Sequence, residues 1–463
     1  MKHEANYFSV LRTRTTKPVI TMPLLNKKNY IIFSPHLIQQ AMRHRDLDFD
    51  LVGLAFARQV ADLSDQALGE RVKKGPSTYT AETVAGIKSG LTGHGVKRMT
   101  AAMLTHVGSQ LNPIDAGQGL HVPSLWVWMR DMMTMATVEA FYGHANPFRA
   151  DPAGLDALWD FDEALDSMLF LPPAMARAGA RYRDRIVSTL RPYFDERMDL
   201  NEDVSDFVAL RTAASVKYNV LGDDLCKGEV INIWVSTANS IPALFWTLIN
   251  VLSRPDLAAK IRDEVLPLVT YSSEGGPRKA TLDLRLVEKQ CPLLVSCQRE
   301  SMRVINHAVA RRAVTEDTQL TDEDGTTYVL KKGNDVMWSS KVAHEMTEVW
   351  GPDALEFNPE RFVGPAGSYA DKDLEKKRRA AYMPFGGGSH LCPGRNFAFA
   401  ETLGLIGVLV LGYDVEGLRT DQVKMGPRVL ASAMPKPTAD GDGGPVTIRR
   451  RLGWEHVQWS FAC

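Results

Sequence analysis

Residues 230–252 contain no charged side chain, and a segment of this length can cross a bilayer. Its polar positions argue against a membrane span; they are Asn232, Ser236, Asn239, Ser240, Pro242 and Asn250. Lipid offers such groups no hydrogen-bond partner, whereas a helix inside a large protein core finds partners on its neighbours. We therefore predict a long central helix buried in a large globular fold.

The composition is that of an ordinary globular protein. Of 463 residues, 44% are hydrophobic and 24% charged, which allows a large core. The net charge of -1 gives no electrostatic reason to bind nucleic acid, so that class of partner is excluded. The five cysteines are scattered without a CxxC pair, which favours a reducing environment over a disulfide framework.

The pattern of elements predicts a mainly α-helical fold with a small β-rich region. Two short β-rich runs near the N-terminus suggest a hairpin, and residues 123–309 show mostly helical spacing. Strand and turn signals follow, and residues 351–394 read as mostly loop before a long apolar helix. Because no linker divides the chain, we expect residues 1–463 to form a single domain.

Pro242 predicts a bend in the central helix. Proline has no N–H and crowds the carbonyl four residues earlier, so the oxygen of Ala238 loses its helical partner. Asn239 and Ser240 lie at the resulting polar notch and are candidate catalytic residues that hold water or a ligand there. The alternative is structural: the proline only bends a core helix and Asn239 caps the break.

The string MPFGGGSHLCPGRNF, which contains Cys392, predicts a metal-ligand loop. Its three consecutive glycines allow positive φ and close backbone approach. Pro393 suits the first position of a following helix. The partial positive charge at a helix start favours the ionised sulfur of a nearby cysteine, and such a thiolate is a good metal ligand.

Five positions in this loop, Phe385, Gly388, His390, Cys392 and Gly394, match the pattern Phe-x-x-Gly-x-(Arg/His)-x-Cys-x-Gly. The loop therefore resembles the haem-binding loop of the cytochrome P-450 (haem-thiolate) family, eukaryotic microsomal type. The resemblance implies the cytochrome P-450 fold, with haem b between the central helix and the cysteine loop. It also implies that Cys392 is the axial ligand of the iron, and thiolate donation favours O–O cleavage.

Two further strings support the resemblance. Glu300 and Arg303 lie on one helical face in RESMR and resemble the family's Glu-x-x-Arg pair. In PERF, Arg361 resembles the arginine that completes a buried ion network with that pair. Each string alone has a common structural alternative, but their order and spacing before the cysteine loop agree with the family.

The family match also implies cations that bind the haem propionates. Arg312 occupies the expected place, with Arg311 as the alternative, and His390 fits the same role. His94 and Arg98 in HGVKR resemble the family's Trp-x-x-x-Arg helix with histidine in place of tryptophan. An exposed basic helix face is the alternative for this second pair.

The central helix departs from the usual family pattern, because the acid of the proton-relaying acid-alcohol pair is absent. ANSIPALFW instead resembles the branch that contains the bile-acid sterol hydroxylases, including the sterol 7-alpha-hydroxylases, and prostacyclin synthase. Asn239 stands for either the acid or the threonine of the pair. An amide cannot titrate, so a proton must come through water or Ser240.

The resemblance implies three functional hypotheses. The first is a monooxygenase that inserts one atom of O2 into a bulky apolar substrate, such as a terpenoid or sterol, with electrons from NADPH through a P-450 reductase. The basic run at residues 376–379 is a candidate docking site for that acidic partner, and a solvated loop is the alternative. The second is a reductase-independent isomerase or dehydratase, and the third is a haem-binding sensor without turnover.

The resemblance further implies a substrate pocket and a location. The candidate pocket residues are Ala238, Asn306, His307, Val309, Ser432 and Met434. We expect a cytosolic catalytic domain at the endoplasmic reticulum membrane. The N-terminus is charged and polar from its first turn, so an anchor that holds the domain to the membrane surface would have to lie outside this sequence.

Overall fold

The computed structural model describes residues 6–24, 27–272, 278–364 and 372–463. Its α-helices are α1 (Tyr7–Thr13), α2 (Pro35–Arg43), α3 (Asp50–Phe56), α4 (Asp65–Val72), α5 (Tyr79–Leu91), α6 (Gly93–Leu111), α7 (Leu125–Tyr142), α8 (Pro147–Ala150), α9 (Ala153–Phe170), α10 (Arg177–Asp195), α11 (Asp206–Lys217), α12 (Asp223–Thr237), α13 (Ser240–Leu252), α14 (Pro255–Val265), α15 (Leu284–Gln290), α16 (Pro292–Ile305), α17 (Ser340–His344), α18 (Thr347–Trp350), α19 (Lys372–Ala381) and α20 (Arg395–Gly412).

The strands are short by comparison. They are β1 (Val19–Leu24), β2 (Lys27–Ile32), β3 (Leu47–Asp48), β4 (Leu120–Val122), β5 (Val269–Ser272), β6 (Lys279–Asp283), β7 (Val309–Val314), β8 (Thr318–Thr321), β9 (Thr327–Leu330), β10 (Asp335–Ser339), β11 (Tyr413–Glu416), β12 (Val446–Arg450) and β13 (Gln458–Ala462). The predicted mainly helical fold with a small β-rich region is confirmed.

The residues divide into two compact units. The first contains Met1–Ala57, Arg299–Cys392 and Pro427–Pro435, and the second contains Arg58–Gln298, Pro393–Gly426 and Lys436–Cys463. A single domain over residues 1–463 stays a prediction.

The first unit is built on a five-stranded sheet of order β1-β2-β10-β7-β3. β1 and β2 pair antiparallel with Val19 opposite Ile32, which confirms the predicted hairpin; residues 25 and 26 lie outside the described residues. β10 pairs parallel to β2 and antiparallel to β7. The alternate side chains of these strands, with Trp338 only 1% exposed, form one apolar core.

Helix α2 shows why the chain folds locally as it does in this unit. Ser34 is the N-cap, its hydroxyl accepts from the backbone N–H of Leu37 at 3.4 Å, and Pro35 takes the first helical position. Leu37 and Ile38 then point into the core beside the sheet. The basic run 376–379 lies on helix α19, so the prediction of loop for that segment is wrong.

The second unit is a helical assembly around the central segment. α5 packs on α11, and α9 packs on α10, while β11-β12-β4 and β13-β6-β5 form two small sheets. Inside it, the carboxylate of Glu229 pairs with the guanidinium of Arg211 and accepts from the Tyr142 hydroxyl at 3.1 Å. Burial of this charge is tolerated because it is paired and hydrogen-bonded.

The central segment is two helices rather than one. α12 ends at Thr237 and α13 begins at Ser240, with Pro242 in the first turn of α13, so the predicted break is confirmed. By length and hydropathy alone, Asp223–Leu252 and Arg395–Gly412 each reach the threshold for a membrane span. In the most apolar 18-residue stretch of each segment, 67% and 72% of the residues are buried in the protein, as expected for core helices.

Candidate functional site

The loop around Cys392 is a tight turn ahead of α20. The backbone N–H of Cys392 donates to the carbonyl of Phe385 at 3.0 Å, which closes the loop on itself. Gly394 then takes the N-cap position of α20. Cys392 therefore lies close to the start of a long helix, where the helix dipole favours a thiolate.

Gly388 is required by this loop for two reasons. Its φ is +63°, and a Cβ there would stand 2.2 Å from the carbonyl oxygen of Met42 in α2. Gly386 has a similar φ of +70°, but the nearest atom to its Cβ would be 3.7 Å away. Of these two glycines, only Gly388 has both a positive φ and a close contact with the backbone of α2, and this contact lets the loop pack against that helix.

A cationic edge lies beside the cysteine loop within the first unit. The guanidinium of Arg312 packs over the ring of Phe49 at 4.5 Å, and the ring of His390 packs on the same phenyl group at 4.9 Å. Arg312 is 6% exposed, and burial lowers its pKa. In the described part of the chain, the guanidinium of Arg312 donates one hydrogen bond, to the carbonyl of Arg311 at 2.9 Å.

These residues fit the predicted haem. A guanidinium has five N–H donors, and the bond to the Arg311 carbonyl uses one of them, so Arg312 retains donors for an anionic propionate. Arg311 instead pairs with Asp335 at 2.7 Å, which makes Arg312 the better of the two candidates. Cys392 offers a sulfur ligand, Arg312 a guanidinium cation, and His390, whose pKa is lowered by burial, a ring N–H donor. This is the donor set that an iron porphyrin with two carboxylates needs.

The three residues of the predicted ion network lie together in the first unit. Glu300 receives two hydrogen bonds from Arg303, each at 2.8 Å, and one from Arg361 at 2.9 Å. Arg361 also reaches Asp353 at 2.8 Å, and Arg303 donates to the carbonyl of Ala354 at 2.6 Å. The side chains of Glu300 and Arg303 are fully buried, so this network joins α16 to the segment before α19.

In the second unit, one face of the central segment remains accessible. We call it the accessible stripe; its members, at helical spacing, are Ile231, Asn232, Val235, Ser236, Asn239 and Ser240. Val235 is 49% exposed although its neighbours Trp234 and Ala238 are 7% and 2% exposed. Both candidate catalytic residues belong to the stripe, and Ala238, a candidate pocket residue, lies outside it.

The notch residues differ in what they bond. The hydroxyl of Ser240 donates to the carbonyl of Ser236 at 3.0 Å, a carbonyl left open by the break. Asn239 occupies the N-cap position of α13 without a capping hydrogen bond from its side chain, so it does not cap the break. Sequence reasoning missed Val235 and Ser236, although their spacing of four from Asn239 and Ser240 was a signal.

Glu401 is a functional candidate that sequence reasoning also missed. It is the one acid in the apolar helix α20, it is fully buried, and burial raises its pKa to about 8. The hydroxyl of Ser240 is near enough to oppose this shift in part. Among the described residues neither carboxyl oxygen has a hydrogen bond of ordinary length. The sequence signal that could have identified Glu401 is a single acidic residue within an otherwise apolar helix, because acids are rarely buried without a partner.

The candidate pocket residues of the first unit lie on two chain segments that hydrogen bonds hold together. The backbone N–H of His307 donates to the carbonyl of Ala433 at 2.8 Å, and its ring contacts the carbonyl of Val429 at 3.1 Å. Asn306, His307, Ser432 and Met434 are all buried, and Val309 keeps an accessible side chain. Asn306 bonds to the carbonyl of Pro384 and to the backbone of Ala308, so its amide positions this loop.

His94 and Arg98 lie in the first two turns of α6, and both are exposed. Arg98 donates to the carbonyl of Val204, which occupies part of its guanidinium. Their role as propionate ligands remains a prediction, and this geometry favours the alternative of an exposed basic face.

Comparison with known proteins gives the family. The cytochrome P450 family model matches residues 156–440, more than half of the chain. A cytochrome P450 monooxygenase from Gibberella zeae is 33% identical over 100% of this chain and 88% of its own length. Cytochrome P450 7A1 from Sus scrofa is 24% identical over 89% and 83% of the two chains. The 7-alpha-hydroxycholest-4-en-3-one 12-alpha-hydroxylase from Oryctolagus cuniculus is 25% identical over 78% and 73%.

These relatives confirm the predicted resemblance, including the sterol-hydroxylase branch. The loop, the ion network and the broken central helix are thus explained together: the chain belongs to the cytochrome P450 family and is an oxidoreductase.

Proposed function

We propose that this protein is a haem-thiolate monooxygenase that inserts one oxygen atom into a bulky apolar substrate of the terpenoid or sterol type. In the overall reaction the substrate C–H becomes C–OH, the second oxygen atom of O2 leaves as water, and NADPH and a proton supply the two electrons and the hydrogen. The observation that carries the proposal is the closed Cys392 loop with Gly388 seated against α2 and Arg312 beside it.

The proposed cofactor is haem b, which would be held by the sulfur of Cys392, with Arg312 and His390 as partners of its propionate groups. When bound, this group supplies the activation of O2, and thiolate donation favours cleavage of the O–O bond. The protein's task is then to hold the substrate, exclude bulk water and deliver protons.

Proton delivery by this chain passes through the polar notch. Asn239 cannot titrate, so it orients water by hydrogen bonding, and Ser240 passes a proton through its hydroxyl. Glu401 is the buried acid that can recharge Ser240, because at neutral pH its raised pKa keeps it protonated. We assign Glu401 as the proton source that the amide at position 239 does not provide.

The accessible stripe supports an apolar substrate. Val235 and Ile231 place branched aliphatic groups on a stripe whose other members are polar, and an exposed apolar residue in a core helix is stabilised by contact with an apolar ligand. One relative's name describes a hydroxylase that acts on a sterol ketone, which is consistent with this substrate class.

A groove in the first unit supports an acidic redox partner, which we propose to be an NADPH-dependent P-450 reductase. The groove has a volume of about 380 Å³ and lies between α2 and α19. Its charged lining residues are Arg43, Lys376, Lys377, Arg379, Glu323 and Glu348. Cations outnumber carboxylates there, and such a surface steers an acidic protein. Location at the endoplasmic reticulum membrane follows from this choice of partner.

Incubation of the haem-loaded protein with terpenoid and sterol substrates, with and without reductase and NADPH, tests the proposal. A hydroxylated product that requires both NADPH and reductase, and that carries one atom from labelled O2, is expected. A product formed in their absence contradicts monooxygenation.

That contrary outcome would favour the second candidate, an isomerase or dehydratase that rearranges an oxygenated substrate without external electrons. The amide at Asn239 in place of an acid is the feature that favours it, because such a reaction needs no protons from outside the site. No change in substrate under either condition would favour a sensor.

A further inference from the structure

The amide of Asn232 on the accessible stripe is held by a buried charge that the proposed reaction does not use. Its Nδ2 donates to Oε1 of Glu229, one turn earlier on α12, at 3.2 Å. Glu229 is 2% exposed, and its carboxylate also accepts from both terminal nitrogens of Arg211. The Tyr142 hydroxyl donates to Oε2 at 3.1 Å, so four hydrogen bonds fix this carboxylate inside the second unit.

This arrangement decides which end of the Asn232 amide faces Glu229. A carboxylate paired with a guanidinium only accepts hydrogen bonds, and only the NH2 end of an amide donates. The NH2 end of Asn232 therefore faces Glu229, because the reverse orientation would set two acceptor oxygens against each other. The carbonyl oxygen, Oδ1, is left on the side of the amide away from the carboxylate.

Oδ1 of Asn232 is an acceptor on the accessible stripe. Within the described residues it accepts no hydrogen bond, and the atom is not buried. Beside it lie Ile231 and Val235, whose aliphatic side chains are accessible, and Ser236. The hydroxyl of Ser236 donates to the backbone carbonyl of Asn232 at 2.7 Å, so its hydrogen is turned towards the helix. This part of the stripe therefore combines apolar surface with an acceptor that has no donor.

A ligand with a hydrogen-bond donor is the one that covers such a surface best. A purely apolar ligand would remove water from Oδ1 and leave that oxygen unsatisfied, which is unfavourable. A ketone or an ether would place a second acceptor against it. A hydroxyl group replaces the lost water by donating to Oδ1, while the carbon skeleton packs on Ile231 and Val235.

We propose that Asn232 is a specificity-determining residue that accepts a hydrogen bond from a hydroxyl group already present on the apolar substrate. Glu229 is a positioning residue, since it acts through the amide that it orients. The proposal rests on the proposed monooxygenation and names its substrate class as a bulky apolar alcohol. An earlier step must then supply that hydroxyl group, by hydroxylation, by ester hydrolysis or by reduction of a ketone.

The spacing along the central segment also sets where the substrate is oxidised. Asn232 and the notch residue Asn239 are seven residues apart, which at about 1.5 Å per residue is about 10 Å along the helix axis. The proposed reaction takes its protons through the notch, so the carbon that reacts lies near that end of the bound substrate. We expect the new hydroxyl group about 10 Å from the one that Asn232 holds.

Spectral titration of the purified, haem-loaded 463-residue chain tests the proposal, because substrate entry shifts the haem Soret band without reductase or NADPH. The probes are cholestanol with its ketone and its methyl ether, and lupeol with its ketone and its methyl ether. We expect each alcohol to bind about tenfold more tightly than its ketone or ether. Asn232→Leu removes the acceptor and keeps a branched side chain. In this variant the members of each set should bind within about twofold of one another.

A matched control is Asn201→Leu, which removes a half-buried asparagine of the second unit that lies outside the stripe. It should keep the full preference for alcohols. Glu229→Gln should reduce that preference, because the new amide can donate to Oδ1 and lets the Asn232 amide turn over. The carbon monoxide spectrum of each variant reports whether the haem pocket is intact. Since Glu229→Gln leaves Arg211 without its counter-charge, the parent chain and Asn232→Leu decide the question if that variant does not load haem.

Three binding results would overturn the proposal: no Soret shift with either alcohol, equal binding of alcohol, ketone and ether by the parent chain, or a preference for alcohols that survives in Asn232→Leu. A product whose new hydroxyl group is adjacent to the old one would overturn it as well.

Assays with reductase separate this proposal from the proposed function. If the parent chain prefers alcohols but forms no NADPH-dependent product, monooxygenation is wrong and the hydroxyl contact stands. If alcohols and ketones are oxidised with equal kcat/KM, monooxygenation stands and the hydroxyl contact is wrong.

Discussion

The carboxyl group of Glu401 on α20 faces the hydroxyl of Ser240 at the first residue of α13. Ser240 lies on the accessible stripe, so this contact connects a fully buried acid with an accessible face of the central segment. The arrangement supplies a titratable group behind a notch whose own residues do not titrate at neutral pH.

Glu401 makes stability depend on pH in the neutral range. In the unfolded chain its carboxyl ionises near 4.5, whereas burial raises the folded-state pKa to about 8. Between these values the unfolded state loses its proton and the folded state keeps it, so stability is fully present below 4.5 and falls as pH rises, by about 1.4 kcal/mol per pH unit at most.

Glu401→Gln should therefore gain stability over the parent as pH rises through this window, as measured by thermal unfolding at a series of pH values. Glu416→Gln, which alters an exposed pair with Arg449, is the control and should track the parent. A difference between Glu401→Gln and the parent that does not change with pH would contradict the assignment.

His307 should make folding stability fall as the pH is lowered, which is the opposite of the pH dependence expected from Glu401. Burial lowers its pKa from 6.5 to about 4, so the folded state resists protonation where the unfolded state accepts it. Stability is fully present above 6.5 and is lost as pH falls towards 4. His307→Gln, whose amide can still donate to the carbonyl of Val429, should lose less stability on acidification. Parallel curves for variant and parent between pH 7 and 4 would rule this out.

Removal of Glu300 should destabilise the first unit strongly. Glu300→Gln leaves the buried guanidinium groups of Arg303 and Arg361 without their shared carboxylate, and an uncompensated buried charge costs about 3–5 kcal/mol. Chemical denaturation measures the change in the free energy of unfolding. Asp317→Asn, in an exposed pair with Lys331, should have little effect on it. An equal loss of stability in the two variants would contradict the prediction that burial makes the Glu300 pairs more important.

Gly388 and Gly386 separate backbone strain from close approach in the cysteine loop. Both alanine variants carry the strain of positive φ, of the order of 1–3 kcal/mol. Only Gly388→Ala also drives a methyl group against the carbonyl of Met42. We expect Gly388→Ala to lose haem content and Gly386→Ala to keep most of it, as read from absorbance. Equal haem loss in both would assign the effect to φ alone.

The groove between α2 and α19 should control the rate of reduction. Arg43→Glu combined with Lys377→Glu should slow electron transfer from the reductase about tenfold at low ionic strength and less at high salt, because exposed charges are screened. Stopped-flow reduction under carbon monoxide measures this rate. Lys331→Glu with Lys332→Glu changes the same charge outside the groove, and a matching slowdown in that variant would refute groove-specific docking.

Much of the site follows from local sequence. The cysteine loop is one continuous string in which the glycines and the following apolar helix each have a local physical reason, and Pro242 breaks the central helix wherever that helix is placed. Pro393 was predicted to open the following helix, but it precedes the N-cap Gly394. Glu300 and Arg303 share a helical face by spacing alone. Such features need no knowledge of distant residues, and they were enough to identify the resemblance to the family.

Tertiary structure decided which residues those local features meet. Arg311 and Arg312 are adjacent in β7, and the sequence alone does not distinguish their roles. In the structure Arg311 pairs with Asp335 on β10, whereas Arg312 packs on Phe49, which also contacts His390. Ser240 and Glu401 lie far apart in sequence, and only the packing of α13 against α20 joins them. Spacing defines a face within one helix or strand, but the partner of that face is chosen by long-range packing and burial, which no local pattern contains.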